Sequence, residues 1–278
     1  RTYNYRVGTP TNRLLSHNIP GGTATFSYDE HGSMTSMPHL ATITWTPFDQ
    51  MKSADKGGGG IVYFTYGADG KRVRKVWDKT GTLKDERIYL GGYEIFRQKT
   101  SGVTQLERQT LHVMDGVKRL AMVETKTVDA GVSVGTLVPM MRYQLGNHLE
   151  SAILEVDGTG LIISYEEYTP YGVSAYRSSR SGVDVTARRY RYVGLERDDE
   201  TGLYLMGARC YACWLGRWTS ADPMGIGADG PGLYNYTRGS PVTLSDPSGQ
   251  WSLGAVAQKP DTPGSFFGNG KGSKAPTY

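Results

Sequence analysis

The sequence predicts an all-β fold, a run of antiparallel hairpins forming a large curved sheet. Three observations carry that expectation. Glycine is abundant (37 of 278 residues), and tyrosine at 19 far exceeds phenylalanine at 6, a balance that favours strands joined by tight turns. No long stretch carries apolar residues at i, i+3, i+4 and i+7, so the helical period is missing. An imperfect repeat recurs instead: an aromatic or charged residue, then Asp-x-x-Gly, then an alternating stretch.

The copies justify the hairpins in order. "YDEHGSMTSM" supplies Tyr28, Asp29 and Gly32. "FTYGADGKRVRKVW" is a looser copy with Tyr66 and Gly70, and "VWDKTGTLKDERIYL" supplies Trp77, Asp78 and Gly81. "LEVDGTGLIISYEEY" gives Asp157 and Gly160, and "ERDDETGLYLMGARCY" gives Asp199 and Gly202. Each reads as strand, turn, strand: aspartate bonds the turn backbone and glycine supplies positive φ. Around the second turn, strict alternation puts Val73, Lys75 and Trp77 on one face and Arg72, Arg74 and Val76 on the other. A single hairpin cannot bury its own face, so the copies are expected to join, with residues 61–249 in one continuous sheet.

Composition divides the chain into three stretches, and motifs divide the middle one at residue 190. Residues 1–60 read as N-terminal repeat strands closed by the glycine run Gly57 to Gly60, a loop or an internal linker. Residues 61–189 carry the densest strand pattern. Residues 190–250 hold the most distinctive motifs. Residues 251–278, "WSLGAVAQKPDTPGSFFGNGKGSKAPTY", lose the alternation and are expected to be disordered or cut short. The sequence starts inside a strand-like pattern without an initiator methionine or signal-peptide core, and reads as a piece of something longer. An open sheet edge, paired with upstream repeats or a partner protein, is therefore expected.

The net charge of +4, from 31 basic and 27 acidic residues, is too mild to point to nucleic acid or an anionic membrane. No apolar run reaches bilayer length. Cys210 and Cys213 form a C-x-x-C without nearby histidine or a βαβ context, which argues against zinc and against a redox pair. Three residues apart on a strand, they point to opposite faces and read as buried thiols. No cofactor or metal is expected.

Near the C-terminus, "ADPMG" and "SDPSG" repeat an Asp-Pro-x-Gly unit, with Asp222 in the first and Asp246 in the second. The surrounding stretch "YRYVGLERDDETGLYLMGARCYACWLGRWTSADPMGIGADGPGLYNYTRGSPVTLSDPSG", Tyr190 to Gly249, resembles the Rhs-associated core of Rhs/YD-repeat proteins. It is most similar to the form found in the C component of ABC-type (Tc) toxin complexes. "YQLGNHLESAILEVDGTGLIISYEEYTPYG", Tyr143 to Gly172, resembles a further family segment, and the Asp-x-x-Gly hairpins resemble its YD repeats.

The resemblance implies a wound β shell, or cocoon, around a toxic C-terminal payload, with the core as a plug that acts as an aspartyl autoprotease. Carried over residue by residue, the catalytic groups are Asp222, Asp246 and Arg209, and the cut falls between Gln250 and Trp251. The family usually has leucine where Gln250 stands, so Gln250→Leu is expected to speed the cut. Implied partners are an upstream YD-repeat shell or B-type component, the chain's own payload, and a pore-forming A component or secretion spike. The implied setting is secretion as a bacterial toxin assembly.

The chemistry is coherent on its own terms. Two carboxylates brought together can share one proton, one acting as base on water and the other as acid. An arginine beside them stabilises negative charge, and a substrate within the same chain gains its proximity from the fold. None of the five histidines lies in the 190–249 core, so no Ser-His-Asp arrangement competes. Other readings stay open. Asp-Pro-x-Gly is also a common type I turn, and Arg209 is equally read as a structural ion pair. Arg197 and Asp198 suit a polar network, and Trp214, Trp218, Tyr234 and Tyr236 suit packing between layers. At the level of function the alternatives are a non-catalytic shell or adhesion module, a carbohydrate-binding surface repeat, and an effector of a contractile secretion system.

Overall fold

The computed structural model describes residues 2–5, 12–227, 230 and 232–254. Among them there is no α-helix, only two 3-10 turns at Tyr192–Gly194 and Thr237–Gly239. The fold is nearly all β around one large antiparallel sheet, as the composition and turn repeats predict. No helix among the described residues is long and apolar enough to cross a membrane.

The sheet is a meander of twelve strands, with the short strand Val132–Ser133 added beside Lys118–Asp129. It opens at Thr42–Trp45 and closes at Ser174–Ser179, each strand antiparallel to the next. It therefore begins before residue 61 and stops well short of 249. Beyond it, the described residues of 190–254 hold only short strands: Tyr204–Met206, Arg209–Ala212 and Arg217–Trp218 form one small sheet, and Leu244–Ser245 pairs with Leu253–Gly254. The glycine run Gly57–Gly60 is no linker. It is the tight connection between Met51–Asp55 and Ile61–Tyr66, both in the main sheet.

The Asp-x-x-Gly copies behave as turns for the expected reason. Gly32, Gly70, Gly81 and Gly160 all adopt positive φ, and Asp157 accepts backbone N–H bonds from Thr159 and Leu161. The copies at Asp78 and Asp199 are each displaced by one residue: the Lys79 amide, not that of Asp78, bonds the Leu83 carbonyl, and the Gly202 amide bonds the carbonyl of Asp198.

The sheet inverts the usual pattern of burial. One face carries exposed Leu111, Val113, Tyr143 and Leu145, brought into neighbouring rows by the pairings Leu111↔Val123, Val113↔Ala121 and Ala121↔Tyr143. The other face is buried and largely charged: Arg72, Lys75, Arg87, Glu94, Arg108, Glu124, Arg142, Glu155 and Glu166. Arg72 reaches that face because the pairing of Ile61–Tyr66 with Arg72–Asp78 skips Val73. This one-residue bulge moves Arg72 to the side of Lys75, contrary to strict alternation.

Residues 184–200 lie across the charged face as a strap. Asp184 pairs with Arg108 and Lys126. Thr186 bonds Glu124, and Arg189 pairs with Glu94 and Glu196. Asp198 takes Arg72 at 2.7 Å and Lys75 at 2.8 Å. Burial raises the Glu196 carboxyl, but Arg72, Arg189 and Lys75 overcome it and hold the group well below the usual range. Nearer the N-terminus the same face is apolar: Ile43, Met51, Ala54, Val62 and Phe64 pack with Leu14, Met34 and Leu40 against Leu203, Cys210 and Ala212.

Candidate functional site

The hairpin Tyr204–Met206/Arg209–Ala212 turns at Gly207 and Ala208, which puts Arg209 at the first position after the turn. Its side chain is buried, with the guanidinium carbon 4.1 Å from the centre of the Trp218 ring. Trp218 comes from the adjacent strand, opposite Tyr211. Beneath them Tyr192, Tyr204, Tyr211 and Tyr236 form an aromatic floor in which Tyr211 and Tyr236 stack at 4.2 Å. Trp218, Tyr234 and Tyr236 are buried, while Trp214 is half-buried, edge-on to His39.

Both Asp-Pro-x-Gly units are turns. The Gly225 amide bonds the Asp222 carbonyl at 3.0 Å and Gly225 has φ of +79°. In the second unit Gly249 has φ of +68°. In each, one carboxylate oxygen shapes the turn: Asp222 Oδ1 accepts the Met224 amide at 2.9 Å, and Asp246 Oδ1 accepts the Ser248 hydroxyl at 2.9 Å and the Gln250 amide at 3.2 Å. The other oxygen of each meets one nitrogen, Arg209 Nη2, at 3.0 Å from Asp222 Oδ2 and 3.4 Å from Asp246 Oδ2. The turn reading and the paired-carboxylate reading thus describe different oxygens of the same two side chains. All three groups are buried.

The second turn is pressed onto the Arg209 hairpin, backbone to backbone. Ala208 N–H donates to the Ser248 carbonyl at 2.9 Å, and Arg209 Nε–H donates to the Gly249 carbonyl. A Cβ on Gly249 would lie 2.4 Å from the Met206 carbonyl oxygen, and one on Gly207 would lie 2.2 Å from that of Ser248, so neither position accepts a side chain. Gln250 follows, half-buried, and Trp251 is exposed. The structure brings Asp222, Asp246 and Arg209 together and holds Gln250 by its amide on Asp246.

Sequence reasoning assigns Trp218 only a packing role between layers, whereas it backs the arginine, and passes over Gly207, which seats the turn. The only signal for either is local: an aromatic in "GRWTSADP" and a glycine at the tip of "LMGARC". Arg197 donates to the Gly202 carbonyl and Asp198 binds Arg72 and Lys75, so both belong to the fold's polar framework. Cys210 and Cys213 are free, buried thiols that pack in different clusters, and burial pushes Cys210 up to about 12. Among the described residues no cluster of His, Cys, Asp and Glu is placed to hold a metal.

No family model matches the chain. Toxin subunit YenC2 of Yersinia entomophaga is 32% identical over 262 residues, covering 91% of this chain and 27% of that protein. Toxin subunit YenC1 of the same organism is 38% identical over 189 residues, covering 67% and 19%. The chain thus spans between a fifth and about a quarter of the length of these relatives. Among solved structures, the crystal structure of TcdB2-TccC3 superposes with a TM-score of 0.71 at 28% identity, covering 90% of this chain and 13% of that one. The sequence likeness extends through both the meander and the region around Arg209, and the superposition carries the same sheet. The chain is a member of the Rhs/YD-repeat family, similar to the C components of Tc toxins, and folds as a segment of their β shell.

Proposed function

We propose that this chain is the self-cleaving end of a toxin shell, and that it cuts its own backbone between Gln250 and Trp251. One observation carries the reading: the carboxylates of both Asp-Pro-x-Gly turns meet on the buried Arg209, whose Nε–H holds the carbonyl next to the proposed bond. In this chemistry Asp222 and Asp246 divide the roles of base and acid between them. The ionised carboxylate takes a proton from water as the oxygen adds to the Gln250 carbonyl. The protonated one supports the carbonyl oxygen and passes its proton to the departing Trp251 amine. One water is consumed, and the products are a carboxylate at Gln250 and a new amino terminus at Trp251. Arg209 fixes both carboxylates and lowers the energy of developing negative charge. Docking of the turn on Gly207 and Ala208 supplies the proximity.

In this reading residues 190–250 are the cutting plug, 1–189 belong to the shell wall, and 251–278 begin the payload; residues 255–278 lie outside the described residues. By analogy with TcdB2-TccC3, the sheet edges at Thr42–Trp45 and Ser174–Ser179 join an upstream repeat shell or B-type component, and the assembly is delivered outside the producing cell. The test is mass spectrometry of the full chain. The wild type is expected to yield a fragment beginning at Trp251, Asp222→Asn an intact chain, and Gln250→Leu a faster cut. An intact wild type leaves the trio as a structural lock of two turns on one arginine. A Trp251 terminus from Asp222→Asn removes Asp222 from the chemistry.

A further inference from the structure

The loop that carries Asp222 is held from the far end of the chain. The first Asp-x-x-Gly turn, Asp29 to Ser33, is closed by the Ser33 amide on Asp29 Oδ1 at 2.8 Å, and Arg13 donates to the Asp29 and Glu30 carbonyls at 3.0 Å each. The turn seats against the core. Tyr234 donates its hydroxyl to the Gly32 carbonyl at 2.8 Å, and the Met34 amide donates to the Thr219 carbonyl at 2.8 Å. A Cβ on Gly32 would lie 2.6 Å from the Tyr234 hydroxyl and 3.2 Å from the Cβ of Ala221. Ala221 immediately precedes Asp222. Tyr234 follows Leu233, whose carbonyl lies 3.5 Å from Arg209 Nη1, and its own carbonyl accepts the Trp218 amide at 3.1 Å. One glycine therefore touches the chain on both sides of the carboxylate–arginine trio.

The repeats provide their own comparison. Gly160 occupies the same place in the same kind of turn, its amide on the Asp157 carbonyl as that of Gly32 is on Asp29, while Gly81 lies in a turn displaced by one residue, Lys79 to Leu83. Their φ are +83° and +79° against +92° at Gly32, and nothing lies within 4 Å of a Cβ built on either. Alanine at all three meets a similar backbone penalty, but only at Gly32 does it also displace Tyr234 and Ala221.

We propose that Gly32 and Tyr234 are positioning residues for the cleavage site, so that the chain cuts itself only when its N-terminal repeat is docked on the core. The inference rests on the self-cleavage reading above. Its consequence is an order of events: the part of the wall formed by residues 12–45 closes first, and the bond is cut afterwards.

The experiment follows cleavage of the full chain by pulse-chase during cell-free synthesis, with mass spectrometry at residue 251. Gly32→Ala should slow the cut roughly tenfold or more, since small misplacements of reacting groups are that costly. Gly81→Ala and Gly160→Ala should stay within about twofold of wild type, because they carry backbone strain alone. Tyr234→Phe removes the hydroxyl that the new methyl group would strike, so Gly32→Ala with Tyr234→Phe should cut faster than Gly32→Ala alone, a rescue that mere destabilisation would not give. A Gly32→Ala chain that cuts as fast as Gly81→Ala, while Asp222→Asn stays intact, overturns the positioning role and leaves the cleavage reading standing. If instead the wild type stays whole or Asp222→Asn is cut, the cleavage reading falls and hydrogen exchange at the Met224 amide, which caps Asp222 Oδ1, decides the docking. Faster exchange in Gly32→Ala than in Gly81→Ala supports it, and equal exchange overturns it.

Discussion

Residues 43–64 and residues 72–166 present the same sheet face to the C-terminal segment; Phe64 and Lys75 stand directly opposite one another on it. The two stretches hold that segment by different means. The first offers Ile43, Met51, Ala54, Val62 and Phe64 to Leu203, Cys210 and Ala212. The second offers arginines, lysine and glutamates to Arg189, Glu196 and Asp198. Apolar contact is non-directional and tolerates any filling of the right volume. A buried ion pair returns its desolvation penalty only when each charge meets its partner in good geometry. The apolar stretch therefore supplies adhesion, and the charged stretch supplies register.

Conservative substitutions should break this comparison most sharply. Asp198→Asn changes almost no volume but leaves Arg72 and Lys75 short of a counter-charge in a buried site, and should cost about 3–5 kcal/mol in denaturant unfolding. Ile43→Val, a loss of one methylene in the apolar stretch, should cost about 0.5–1.5 kcal/mol by the same measurement. An Asp198→Asn chain as stable as Ile43→Val would mean that the ion pairs do not set the register.

Acid separates the stretches more finely. Burial pushes the His112 imidazole below its ordinary value against the pull of Glu94. Arg119 Nε–H donates to His112 Nδ1 at 3.1 Å, and Nε2 lies 3.0 Å from Glu94 Oε1 without hydrogen-bond alignment. A depressed histidine contributes stability that is present above its unfolded value of about 6.5 and is lost as pH falls through the folded value. The depressed carboxyls of Glu94, Glu155 and Glu196 add a second loss, beginning below about pH 4.3. Thermal unfolding across pH should show both stages in the wild type and only the lower one in His112→Gln, the smallest effect of the three. An unchanged upper stage in that variant would assign it to another group.

Legibility in the sequence follows the range of the interactions involved. The Asp-x-x-Gly turns were readable because aspartate and glycine act on their own backbone within four residues, and adjacent hairpins then add one to the next. The Val73 bulge was not readable, because an extra residue in a strand leaves no local mark and shows only in the pairing with Ile61–Tyr66. The strap was invisible for a related reason: Arg72 and Asp198 are partners 126 residues apart, and a charged residue on an alternating strand ordinarily faces water. The site residues came from motif resemblance. Their meeting on one nitrogen of Arg209 depends on three turns and on Trp218, none of which spacing alone could place.

The charged inner face also bears on how the chain survives its own synthesis. The strands from Arg72 to Tyr168 are made before the strap that pairs with them, and such distant contacts form late. While they wait, their future interior is a field of hydrated arginines, lysines and glutamates. A waiting apolar interior would be adhesive toward other chains at this stage; this one is wetted and self-soluble. The large sheet can thus be laid down strand by strand with its inner side open to water, and becomes dry only when residues 184–200 arrive.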